Sequence, residues 1–101
     1  MSVRQKLMFR GNANTAGTLY TVTTGIESAV ITDIVVANTS SEAQSVTVNF
    51  DGVAIIGGAI LNPKDSVSFD IKQVLDNGST ISSSAPSSDV KLHISGIEII
   101  N

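Results

Sequence analysis

The sequence predicts an all-β fold, an antiparallel β-sandwich of about seven to eight strands with jelly-roll-like connections, and three observations carry it. Apolar and polar residues alternate with period two in short runs, the signature of strands with one buried face. Turn-forming residues separate these runs at intervals of about 8–12 residues, as in sandwiches and jelly rolls. No stretch holds a helical period, and the one candidate is a single turn near Ile71–Leu75. Abundant Ile, Val, Ser and Thr agree, because a branched Cβ stiffens χ1 in a way that strands accommodate.

Seven strands are expected, near 18–23, 28–37, 44–50, 53–61, 66–71, 79–84 and 89–99. The clearest sets Val46, Val48 and Phe50 against Ser45, Thr47 and Asn49. Asp51-Gly52 follows as a two-residue hairpin turn, since both residue types accept positive φ. Gly57-Gly58 predicts a bend or bulge within 53–61. Asn62-Pro63-Lys64-Asp65 and Asp76-Asn77-Gly78 read as turns, and 82–88 (SSSAPSS) as a loop. The run 30–37 (VITDIVVA) is apolar at both parities, which predicts a central strand covered on both faces. In the last strand Val90, Leu92 and Ile94 share a face while Ile97 and Ile99 take the other, so a bulge is expected at Ser95-Gly96.

Charge divides the chain into residues 1–17, a flexible basic arm, and residues 18–101, the sandwich domain. Arg4, Lys6 and Arg10 stand in the first ten residues without an acid, whereas the remainder holds Lys64, Lys72 and Lys91 against all nine acids. An acidic body lacks the clustered cations that phosphate backbones need, so no nucleic-acid partner is expected. No run approaches the ~20 apolar residues of a membrane span. Leu7-Met8-Phe9 is too short for the apolar region of a signal peptide, and synthesis in the cytoplasm is expected.

Catalytic chemistry has few candidates. Cysteine is absent, which removes disulfides and thiolate chemistry. The single histidine, His93, shares a parity with Lys91 and Ser95, and this predicts a solvent-facing strand residue without the oriented partner that base catalysis requires. No serine sits in a G-x-S-x-G elbow. Asp51, Asp65, Asp76 and Asp89 fall at turns, where carboxylates bond nearby amides. Asp76-Asn77-Gly78-Ser79 is the nearest approach to a calcium loop but lacks the later bidentate Glu. Gly57-Gly58 has no Lys-Ser/Thr after it to cradle phosphate. No enzyme activity, cofactor or metal is expected. Phe50 and Phe69 belong to apolar faces, and Tyr20 to the core boundary.

Two features point to assembly. The basic arm suits docking on an acidic neighbour through Arg4, Lys6 and Arg10. Ile97, Ile99 and Ile100, with Ile31 and Val35 on the second face of a central strand, exceed what one small core needs, and such surplus marks interfaces. A cyclic homo-oligomer is expected, with a trimer among the candidates.

The order of motifs resembles a module of tailed-bacteriophage virion proteins. Leu19-Tyr20-Thr21-Val22, Gly25, the run from Ile31 to Ser40, the Leu61–Ser66 turn, Val74–Ile81 and the closing Ile94–Ile99 carry the likeness, over roughly residues 18–99. Thr23-Thr24 departs from the Pro-Ala such modules often hold at that turn. The resemblance implies a small non-enzymatic virion protein, made in the host cytoplasm, that contacts other capsid or tail proteins. A head decoration or auxiliary subunit is the first expectation, and a tail or fibre module binding a host receptor or glycan the alternative.

Overall fold

The computed structural model describes residues 2–100, and eight strands account for most of them. In chain order they are β1 (Ser2–Asn12), β2 (Thr18–Thr21), β3 (Ile26–Asn38), β4 (Gln44–Phe50), β5 (Val53–Leu61), β6 (Ser66–Asp76), β7 (Thr80–Ser84) and β8 (Val90–Ile100). They form two four-stranded antiparallel sheets, β1-β8-β3-β6 and β2-β7-β4-β5. First pairs with last, second with seventh, third with sixth and fourth with fifth, the rolled-up hairpin of a jelly roll.

The period-two faces meet between the sheets. Ile31, Ile34 and Val36 of β3 and Val90, Leu92 and Ile94 of β8 pack against Val46, Val48 and Phe50 of β4 and Ile81 of β7. Burying one such branched side chain contributes about 1.5–3 kcal/mol. Asp51 and Gly52 both have positive φ (54° and 78°), as the two-residue hairpin requires. Gly57-Gly58 is the expected bulge: β5 advances from Ile56 to Ala59 while β4 advances only from Val48 to Val46.

Several expectations are corrected. Residues 2–12, expected as an arm ahead of the sandwich, are the edge strand β1, whose backbone pairs with β8 from Ser2↔Ile100 to Asn12↔Lys91. The turn near Ile71–Leu75 is extended and continues β6 to Asp76. β8 keeps one phase throughout: Val90, Leu92, Ile94, Gly96 and Glu98 are all buried. The bulges lie in its neighbours, at Met8 of β1 and Thr32 of β3, level with each other on either side of Ser95. The Thr32 bulge also shifts the phase of β3, which turns Ile31 fully into the core and leaves Val35 on the opposite surface.

Gly96 is required where β3 presses on β8. It faces Ile31 in register, and a Cβ there would overlap the Val30 carbonyl oxygen, with the Ile31 Cα at 3.0 Å. Asn38, at the end of β3, is 2% exposed and ties two loops together. Its Nδ2 donates to the carbonyls of Glu42 (2.8 Å), Asn62 (3.2 Å) and Leu61 (3.3 Å). Its Oδ1 accepts from the Ser40 amide (3.0 Å) and hydroxyl (2.7 Å).

Candidate assembly face

The sheet β1-β8-β3-β6 has one face in the core and one outside, and pairing register builds the outer face row by row. Val3, Ile99, Ser28 and Asp76 form the first row, and Gln5, Ile97, Val30 and Val74 the second. Leu7, Ser95, Asp33 and Asp70 form the third, followed by Arg10, His93, Val35 and Ser68. The last is Asn12, Lys91, Ala37 and Ser66. The first three rows carry an apolar band in which Val74 is 66% exposed, Val3 61% and Leu7 45%. Scattered single apolar side chains are ordinary on a surface, whereas a contiguous band is not.

An open hollow of about 500 Å³ lies on this face, lined by Gln5, Leu7, Arg10, Asp33, His93 and Ile97 among others. Arg10 Nε donates to His93 Nδ1 at 3.2 Å. The acceptor nitrogen of the imidazole therefore faces a cation, not an orienting acid. Thr32 Oγ1 stands 3.1 Å from Asp33 Oδ2, and Lys91 Nζ donates to Asn12 Oδ1 (2.8 Å) and the Ser88 carbonyl (2.7 Å). Among the described residues there is no group of three or more His, Cys, Asp or Glu placed to hold a metal ion. Asn77, next to Asp76, uses its Nδ2 on the Thr23 and Ile26 carbonyls, both at 3.0 Å.

The structure gathers some of the predicted interface residues and separates others. Arg10, Val35, Ile97 and Ile99 share the outer face. Lys6, opposite Gly96, reaches the rim of the hollow. Ile31 is core, and half-buried Ile100 pairs with Ser2 and Ile26 at the sheet's end. Arg4 is engaged within its own chain, donating to Glu98 Oε1 from Nε (2.8 Å) with Nη2 at 2.7 Å. Glu98 is 1% exposed and also accepts from the Tyr20 hydroxyl at 2.5 Å. Sequence reasoning passed over Glu98, although its parity with Val90, Leu92 and Ile94 was the available signal. It also passed over Val3, Val30 and Val74.

This Arg4–Glu98–Tyr20 cluster sets a pH dependence. Burial alone would push the Glu98 carboxyl up, but the hydrogen bonds from Tyr20 and Arg4 and the Arg4 charge outweigh it and hold it below its ordinary value. Burial, and then the bond to Glu98, drive the Tyr20 phenol well above the usual tyrosine range. A depressed carboxyl stabilises the fold above its unfolded-state pKa and loses that contribution as pH falls through the folded one. The raised phenol stabilises the fold below the ordinary tyrosine value, and that contribution is lost as pH climbs beyond it. Stability measured by urea titration is therefore expected to fall on both limbs. Tyr20→Phe should cost about 1–2 kcal/mol at neutral pH and flatten the alkaline limb. As Tyr20 is the only tyrosine, near-ultraviolet absorbance reports its ionisation directly.

The sequence matches no protein-family model and no curated protein. Among solved structures, the fold is similar to a chain of the T13 IBDV viral particle, at 13% identity and a TM-score of 0.53. The likeness covers 98% of this chain but 31% of that one, and at this identity what it establishes is the shared all-β fold.

Proposed function

We propose that this chain is a non-enzymatic structural protein of a virion, an accessory or decoration subunit of a tailed-phage head that associates with itself and with other virion proteins. The observation that carries the reading is the similarity of nearly the whole chain to part of a viral-particle chain. The sequence likeness to tailed-phage virion modules supports the phage assignment. The lone imidazole bonded to a cation, and an apolar band wider than one core uses, support assembly over catalysis. Fold by itself does not fix function, so the test is made on particles.

Purified protein added to phage heads lacking it is expected to bind saturably and to appear as ordered density outside the shell by cryo-electron microscopy. Absence of head binding, with specific binding to host cells or glycans, would move the protein to the tail or fibre.

A further inference from the structure

We propose that the outer face of the β1-β8-β3-β6 sheet is a two-fold interface that binds a second copy of this chain, face to face, with the symmetry axis parallel to the strands. The inference rests on the self-association in the reading above and is independent of which particle the protein joins.

The face is self-complementary in charge. Its β1–β8 half carries Arg10 and Lys91 outward and no acid, while its β3–β6 half carries Asp33, Asp70 and Asp76 with Lys72 the one cation among them. A two-fold axis along the strands lays β1 over β6 of the second copy and β8 over its β3, and keeps each row level. Ile97 then meets Val30 of the second copy, and Gln5 meets its Val74. Arg10 comes within one row of Asp70 and Asp33 across the interface, and the symmetry repeats each contact. An axis across the strands at the middle row would instead set Asp33 against Asp33 and Asp70 against Asp70, acid against acid.

The area is also sufficient. Four strands at the usual spacing and about eleven residues in length make a face of roughly 700 Å², close to the ~800 Å² that each partner contributes to a standard interface. Aligned sheets pack about 30° apart, which lets side chains of level rows interdigitate. The bulges at Met8 and Thr32 bracket the centre of this face, and Thr32 and Ser95 line the hollow there, where long side chains from a facing copy would lodge.

Sedimentation equilibrium of the full chain at micromolar concentration tests this. The expected mass is twice the 10.5 kDa of one chain. Val74→Asp, at a position already 66% exposed and so compatible with folding, should weaken the dimer about tenfold or more. Arg10→Glu and Asp70→Arg should each weaken it by roughly tenfold. An equimolar mixture of those two variants should regain the dimer, because every cross-interface Arg10–Asp70 pair is then attractive. Circular dichroism checks that each variant is folded. A monomeric or trimeric wild type, a dimer indifferent to Val74→Asp, or a mixture that fails to reassociate overturns the proposal. Loss of head binding by a protein that remains dimeric would overturn the virion reading alone.

Discussion

Gly96→Ala is expected to destabilise the protein by about 3 kcal/mol in urea unfolding, a fall of about 15 °C in Tm for a domain of this size. Two effects favour the substitution elsewhere. Alanine restricts the unfolded chain by about 0.4–1 kcal/mol, and burying a methyl group adds about 0.8 kcal/mol. Here both are outweighed, since the new Cβ would occupy the space of the Val30 carbonyl oxygen. The obstacle is backbone held in the β3–β8 ladder, not the tip of a flexible side chain. Relief requires the two central strands of one sheet to part beside the Thr32 bulge. Gly57→Ala is the control: its nearest neighbour is the Ala54 Cβ at 4.0 Å, and little change is expected. Equal stability of the two variants would show that β8 approaches β3 less closely than described.

The second large effect is expected at Asn38. Asn38→Ala strips donors from the Glu42, Leu61 and Asn62 carbonyls and the acceptor from Ser40, a loss of about 2 kcal/mol. Asn38→Asp keeps the shape but turns a carboxylate oxygen toward those three carbonyls in a buried site, and should cost about 4 kcal/mol at neutral pH. Desolvation and the facing carbonyl dipoles would raise the pKa of the new carboxyl above its unfolded value. It would bind its proton more tightly when folded, so the penalty is complete above the folded pKa and shrinks as pH falls. Denaturation midpoints of the aspartate and asparagine proteins should therefore converge on acidification. A gap that widens instead would mean that the side chain is not donating to those carbonyls.

The parts of the fold readable in the sequence are those where one face of a strand is uniformly apolar. β4 and β5 match the expected bounds, and Asp51-Gly52 turns as its residue types require. β1 escaped notice because it is an edge strand near the sandwich end, with Arg4 and Lys6 at positions whose partners, Glu98 and Gly96, face inward. Leu7, Met8 and Phe9 fall on both parities because Met8 is a bulge, and this hid the alternation. The β3 bulge likewise made two half-buried phases look like one strand covered on both sides. A bulge belongs to a pair of strands, and periodicity locates strands without naming their partners. The same gap explains the outer face of the β1-β8-β3-β6 sheet. Ile97, Ile99 and Val35 were recognisable as surplus, but their union with Val3, Val30 and Val74 exists only once β1, β8, β3 and β6 lie side by side. The bond from Arg4 to Glu98 is not legible in the sequence, because the two residues lie 94 positions apart.

The nesting of the strand pairs also bears on the order in which the chain folds. Closing β1 on β8 in an otherwise open chain means closing a loop of nearly the whole sequence. If the β4–β5 hairpin forms first, β3 and β6 are separated only by short connections, and their pairing in turn brings up β2 with β7 and then β1 with β8. Each closure after the first then spans on the order of ten free residues, which lowers the entropic cost of the last by roughly 2 kcal/mol relative to closing it alone. The rolled topology thus carries its own sequence of events, beginning at Asp51-Gly52 and ending at the edge strand that holds Arg10.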